Sequence, residues 1–288
     1  MGYFKNIGKT YKKFKLGLTP QQTLFYGFFT YITFGFILLC IPPLQKTPVS
    51  WVDNLFTAAS AVSTTGLLTI PLTESYTFLG QLVIMVLFQL GGIGYLTFTT
   101  FIILSTTRKM THWHQKILKT EFALPNTLHI KDFIKSVAIF TMVMETIGAI
   151  LYFVAIKGAG FSFWNAVWSS IFHSISAFCT AGFSLDPNGF TSYLDNGLIN
   201  FTTSMLAICG SMGFIVVTDI FLWIKNKSHQ LSFTTKIIFY GFIILLVMGT
   251  VLLYFTEPSL SIINENERLM ASFFQAMSAM TTVGFNTV

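Results

Sequence analysis

Charge is what this 288-residue sequence has least of. Its 17 Lys and Arg and 11 Asp and Glu make up 10% of the chain, far below the about 25% that coats an ordinary soluble domain. A water-soluble globule of this length is thereby excluded. Cysteine is equally scarce. Cys40, Cys179 and Cys209 stand apart in apolar surroundings, an odd count with no pairing pattern, which argues against a disulfide framework. Catalytic signatures are missing too: there is no Walker-type glycine loop with Lys and Ser or Thr, no G-x-S-x-G elbow and no metal-binding helix pattern. Gly91-Gly92-Ile93-Gly94 lies inside an apolar run and follows no strand, so it is not a phosphate loop. His112 and His114 have no Cys or carboxylate at metal-ligand spacing. No enzyme and no cofactor of its own are expected.

What is there is hydrocarbon. The chain is 53% hydrophobic, contains 32 Phe and has a mean hydropathy of +0.67, the composition of an integral membrane protein. Continuous apolar stretches near 24–44, 78–104, 133–156, 198–224 and 236–255 are each long enough to cross about 30 Å of hydrocarbon at about 1.5 Å per residue. Five full spans are expected. Residues 1–23 carry no cleavage-site pattern and read as an arm, with Leu18-Thr19-Pro20 ahead of the first span. Basic residues then orient the spans. Lys5, Lys9, Lys12, Lys13 and Lys15 precede the first; Arg108, Lys109, Lys116, Lys119, Lys131 and Lys135 follow the second; Lys225, Lys227 and Lys236 surround the start of the fifth. These segments are expected on the cytoplasmic side of the plasma membrane, the N-terminus included. The same asymmetry accounts for the net charge of +6 and the pI near 9.2, and no nucleic-acid partner is needed.

One short phrase is written three times: Phe56-x3-Ser60-Ala61-x-Ser63-Thr64-Thr65-Gly66, Phe172-x3-Ser176-Ala177-x-Cys179-Thr180-Ala181-Gly182 and Phe274-x3-Ser278-Ala279-x-Thr281-Thr282-Val283-Gly284. If 51–70 were a full crossing, the next span would deliver the basic stretch 105–135 to the outside. The phrase must therefore enter and leave on one side, as a half-helix of roughly 18 Å followed by extended chain. Irregular backbone at that depth is tolerated only where it is buried in protein or lines water, so the repeat predicts an aqueous path. Each copy sits in a larger unit of span, half-helix, return loop and span. The chain divides into a cytoplasmic arm (1–23), a first unit (24–104), a cytoplasmic linker (105–132), a second unit (133–224), a second linker (225–235) and an incomplete third unit (236–288). After the first two loops Gly91-Gly92-Ile93-Gly94-Tyr95 matches Gly210-Ser211-Met212-Gly213-Phe214, small residues that let helices approach closely. All units share one orientation, so they can surround one axis normal to the membrane.

The chemistry resides in the return loops. A cation leaving water needs oxygen ligands, and backbone carbonyls supply them without burying a fixed charge. Ser63, Thr64, Thr65 and Gly66, with Cys179, Thr180, Ala181 and Gly182 and with Thr281, Thr282, Val283 and Gly284, suit that task. Glycine permits the angles that aim carbonyls inward, and the half-helices would turn their negative ends toward the ion. No side-chain metal site is expected.

These residues resemble the Trk/Ktr/HKT superfamily of potassium transporters, and the Ktr-type membrane subunit in particular. The resemblance covers nearly the whole chain: Leu18-Thr19-Pro20, Trp51 to Gly66, Gln89-Leu90-Gly91-Gly92-Ile93-Gly94, Phe172 to Phe178 with Ala181 to Leu185, and Gly284-Phe285-Asn286. It implies an all-α membrane protein in which four span, pore-loop, span units surround one potassium pore about a pseudo-fourfold axis. It also implies membrane subunits paired as homodimers and a cytoplasmic nucleotide-binding regulatory ring of the RCK type that gates them. Potassium would be the transported ion, with sodium as a coupling ion left open. The family's filter glycines map to Gly66, Gly182 and Gly284, and glycine at the first implies potassium selectivity. The sequence departs from the family by stopping at Val288, four residues past the third glycine. About 2.5 of four units are then present, and a C-terminally truncated fragment is expected. The alternatives are a non-conducting truncated or assembly subunit, and a sodium-permeable or sodium-coupled relative.

Five other residues invite roles. Glu145 in mid-span reads as a structural hydrogen-bond or packing residue ahead of an ion-path residue. His173 reads as a hydrogen-bonded packing histidine ahead of a pH sensor. Asp219 reads as a snorkelling partner of Lys225 or Lys227, and Asp53 and Asn54 after Ser50 read as a helix start that could also draw cations.

Overall fold

The computed structural model describes residues 19–94, 97, 130–157, 162–225 and 230–288. The basic arm before Thr19, most of 95–129 with His112 and His114, and the end of the 198–235 region around Lys227 lie outside the described residues, so the expectations placed there go untested.

The described residues fold as helices in the order α1 (Pro20–Leu39), α2 (Trp51–Val62), α3 (Leu72–Ser75), α4 (Phe78–Ile93), α5 (Ile130–Lys157), α6 (Phe163–Phe178), α7 (Gly197–Ser211), α8 (Phe214–Lys225), α9 (Phe233–Thr256) and α10 (Glu265–Thr281). Local chemistry sets their starts. Thr19 accepts the Gln22 amide at 3.3 Å while the Gln22 side chain accepts the Thr19 amide at 3.0 Å, a capping box with Pro20 at the first helical position. Ser50 caps α2 by accepting the Asp53 amide at 3.2 Å, Thr77 caps α4 and Ser232 caps α9.

By length and composition α1, α5 and α9 can cross a membrane. α2 has 12 residues, roughly 18 Å, as expected of a half-helix, whereas α6 and α10 run to 16 and 17 residues. Each of these three helices packs on its own unit: α2 on α1 and α4, α6 on α5 and α7, α10 on α9. Each of the later two also packs on the second span of the unit before it, α6 on α4 and α10 on α7. The units are therefore arranged in sequence, with the half-helices inside.

The expected spans 78–104 and 198–224 are not continuous helices. α4 stops at Ile93, and Gly94 takes φ 84°. In the second unit α7 and α8 form a pair bent by 99° at Met212 and Gly213, where Gly213 also takes φ 84°. That left-handed angle is open to glycine at no steric cost. Hydropathy reads composition and not direction, so an apolar run continues through a corner that only the glycine marks.

Polarity is distributed as in a membrane protein. Phe25, Phe29, Phe233, Ile244, Leu252 and Phe255 are exposed, whereas Ser174, Ser176, Thr202, Thr203, Ser272 and Ser278 are buried. Hydroxyls inside and hydrocarbon outside is the distribution that suits a lipid solvent.

Candidate ion pathway at the three loop apices

The half-helices end alike. At the end of α2 the Thr64 amide donates to the Ala61 carbonyl (3.1 Å) and the Thr65 amide to Ser60 (2.9 Å); at the end of α6 Thr180 donates to Ala177 (3.1 Å) and Ala181 to Ser176 (2.8 Å). This pair of bonds is a Schellman closure, which requires a left-handed residue just past the helix, usually glycine. Here threonine occupies it: Thr64, Thr180 and Thr282 have φ of 50°, 51° and 59°. A β-branched residue held left-handed costs on the order of 1–2 kcal/mol. Two residues later the chain turns left-handed again, at Gly66, Gly182 and Gly284 with φ of 78°, 68° and 78°. The same strained conformation at three matching positions marks a built feature.

The apices meet one another. A Cβ built on Gly66 would stand 2.5 Å from the carbonyl oxygen of Ala181, and one on Gly182 would stand 2.1 Å from that of Val283. On Gly284 the nearest atom would be the carbonyl oxygen of Thr65, at 3.8 Å. Each glycine thus faces the carbonyl that precedes the glycine of another loop, in the order first to second, second to third, third to first. Side chains alternate around this contact. Cys179, Ala181, Thr281 and Val283 are buried, while Thr180, Gly182, Thr282 and Gly284 stay accessible; in the first loop Ser63 and Thr65 are exposed with Thr64 and Gly66 half-buried. All twelve residues singled out in the sequence therefore lie on converging loops, but four of them turn their side chains into the protein.

The supports are partly repeated. Ser176 donates to the Phe183 carbonyl at 2.8 Å and Ser278 to the Phe285 carbonyl at 2.5 Å, each serine of the phrase holding the residue after the glycine. The hydroxyl of Ser60 is buried without a partner, and Leu67, which stands where the other loops have Phe, is 61% exposed against 0% for Phe183. Phe183 stacks on Phe88 of the first unit and Phe285 packs 4.1 Å from Phe190 of the second. Behind the helix ends, a Cβ on Gly91 would fall 2.1 Å from the Val62 carbonyl and one on Gly210 1.8 Å from that of Phe178. The second spans press directly on the ends of the half-helices.

His173 is a clamp. The Leu185 amide donates to its Nε2 at 3.1 Å, so Nε2 is unprotonated and Nδ1 donates to the Ser169 carbonyl at 2.8 Å. The ring ties α6 to the chain after the second loop. Asp219 accepts the Ser232 amide at 2.8 Å, joining α8 to the start of α9. Hydrogen bonds from Ser50, at 2.6 Å, and from Thr69 hold the Asp53 carboxyl below its usual range. Glu145 bonds to Gln89 at 2.6 Å, the structural hydrogen bond that its position suggested. The link from Gln89 onward to Cys179 had no sequence signal beyond polarity inside apolar spans.

Electrostatically, three helix C-termini converge on one place, which favours a cation. The oxygens at hand are backbone carbonyls and Ser and Thr hydroxyls. A cavity of about 880 Å³ lined by Lys46, Gln81, Trp164, Trp168, Asp186 and Tyr193 among others contains none of the loop-apex residues. Convergent geometry is the better guide to the site here than volume.

Residues 31–288 match the model of a family described as TrkH, cation transport protein. The chain belongs to that family. It is 33% identical over 276 residues to Ktr system potassium uptake protein B of Bacillus subtilis (strain 168), covering 94% of this chain and 61% of that protein. It is 31% identical over 257 residues to the protein of that name from Vibrio alginolyticus, covering 88% and 56%. Potassium/sodium uptake protein NtpJ of Enterococcus hirae is 31% identical over 276 residues, covering 94% and 60%. The chain thus spans about 56–61% of the length of these relatives. Among solved structures, the crystal structure of the potassium transporter TrkH from Vibrio parahaemolyticus superimposes with a TM-score of 0.66 at 18% identity, over 94% of this chain and 53% of that one. The fold of this TrkH family chain is the helical membrane fold of that transporter.

Proposed function

We propose that the three loops form part of a potassium filter, through which potassium enters the cell down its electrochemical gradient. The observation that carries this reading is the interlock of Gly66, Gly182 and Gly284 with the carbonyls of neighbouring loops. Side chains are excluded from that contact, so a passing ion meets backbone and hydroxyl oxygen, which can replace water around a cation. Convergent helix ends add negative potential where the ion sits. The names of the first two relatives, potassium uptake proteins, agree with the ion. The loops would face outward and the N-terminus inward. In this reading the membrane subunit works as a homodimer in the lipid bilayer beneath a cytoplasmic nucleotide-binding ring of the RCK type.

Sodium permeation or coupling is the second reading, favoured by the relative named for both potassium and sodium. Expression of the chain in a strain lacking potassium uptake separates the two. Growth on limiting potassium and rubidium uptake resistant to excess sodium support the potassium filter; sodium-dependent uptake or sodium accumulation supports the second reading, and no ion movement overturns both. Gly66→Ser should raise sodium sensitivity in the same strain, and an unchanged response would remove Gly66 from the filter.

A further inference from the structure

The pseudo-repeats differ where each half-helix meets its loop, at Ser63, Cys179 and Thr281. Ser63 turns its hydroxyl back to the Ala59 carbonyl and onto Thr65, each at 2.7 Å. Thr281 turns back to the Met277 carbonyl at 2.8 Å. Cys179 reaches into another unit: its thiol donates to Oε1 of Gln89 on α4 at 3.1 Å. The Gln89 amide nitrogen donates in turn to Oε1 of Glu145, midway along α5, at 2.6 Å. Glu145 is itself fixed, since its backbone carbonyl accepts the Ser174 hydroxyl of α6 at 2.7 Å. Gly92, one turn beyond Gln89, makes room for the contact, because a Cβ there would stand 2.6 Å from that of Cys179. On α7 the matching positions are Ile208 and Ser211, so the third loop is offered no such amide.

We propose that Glu145 is a positioning residue for the second loop, acting through Gln89 to fix Cys179 and hence the Thr180 to Gly182 backbone, and so the fit of the pathway to its ion. Polar groups among apolar side chains must find partners or incur a cost. The carboxyl group takes the amide nitrogen, which leaves the amide oxygen facing the thiol, and bonds in such a chain reinforce one another. Without Glu145 the amide has no reason to hold that orientation, and Cys179 loses its acceptor. The consequence for ion choice rests on the potassium-filter reading; the tether itself does not.

The experiment uses the full chain with Cys40→Ala and Cys209→Ala, which leaves Cys179 as the only thiol, purified into lipid nanodiscs for infrared measurement of the S–H stretch. Gln89→Leu should shift the band to the frequency of an unbonded thiol. Glu145→Ala, which touches no sulfur, should give the same shift, and Glu145→Gln, whose amide oxygen still accepts from Gln89, should restore it. If Glu145→Ala does not accumulate in membranes, Glu145→Leu removes the acceptor while keeping volume. In the uptake-deficient strain, potassium over sodium discrimination should fall by roughly three- to tenfold in Gln89→Leu and Glu145→Ala, with the double variant no worse than either, as coupled residues behave. An unmoved band in Gln89→Leu, a Glu145→Ala band unlike that of Gln89→Leu, or losses that add in the double variant would overturn the proposal. A parent chain that moves no potassium would defeat the filter reading, and the infrared band would still decide the tether.

Discussion

A single methyl group probes the three apical glycines unequally. At Gly182 and Gly66 it would meet backbone oxygens at 2.1 and 2.5 Å, atoms that cannot swing aside as a side chain can, whereas at Gly284 the nearest atom is 3.8 Å away. All three have φ between 68° and 78°, so the left-handed cost of about 1–2 kcal/mol is common to them and space makes the difference. Overpacking of roughly 1–3 kcal/mol corresponds to about five- to 150-fold, with tenfold near its lower end. Rubidium uptake by Gly182→Ala and Gly66→Ala should therefore fall about tenfold or more below wild type, with Gly284→Ala clearly less affected; an equal loss at all three would mean that the left-handed angle alone matters. That these glycines belong together is legible in the thrice-written phrase. That the threonines before them are also left-handed is not, because a β-branched residue is among the last that local preference would place there. The closure of each half-helix end sets that angle, through bonds such as that from the Thr64 amide to Ala61 and from the Thr180 amide to Ala177.

Among the elements, the glycine pattern of the second spans carries two meanings that share one spelling. Gly91 and Gly210 bring helix against helix end, as small residues at spacing do, while Gly94 ends α4 with a left-handed angle and Gly213 turns the chain. Sequence spacing reveals the first meaning and hides the second, since the apolar run passes through the corner unbroken. The two meanings separate in stability. Gly210→Ala drives a Cβ to 1.8 Å from the Phe178 carbonyl, whereas a Cβ on Gly213 meets nothing within 4 Å and bears only its φ of 84°. Gly210→Ala should lower the apparent melting temperature of the detergent-purified protein more than Gly213→Ala does, the latter costing about 1–2 kcal/mol. The reverse order would place the packing of the two units elsewhere than at this crossing. The Gln89 to Glu145 bond spans 56 residues of sequence, and no periodicity links two polar residues on separate apolar spans; only their shared need for a partner foretells it.

The molecule as a whole is a sequence of units in which each of the later two half-helices leans on the unit before it, and the three loops meet at their apices. Charge parity in the sequence asks that all three enter and leave on one side, and it counts second spans that are not continuous: α7 and α8 are bent by 99° and α4 ends at Ile93. That count depends on where a unit starts and ends and not on the path between, so the bends leave the expectation in place. Thr47, Asn188 and Ser259 are exposed residues in the connections around the three half-helices. With Cys40 and Cys209 replaced and the buried Cys179 retained, cysteines placed singly at 47, 188 and 259 should all react with a membrane-impermeant maleimide on intact cells. A cysteine at 116, in the basic stretch, should react only after the membrane is opened. If one of the three outer positions were protected while the others reacted, one unit would be inverted, and the order in which Gly66, Gly182 and Gly284 face their neighbours could not hold in the membrane.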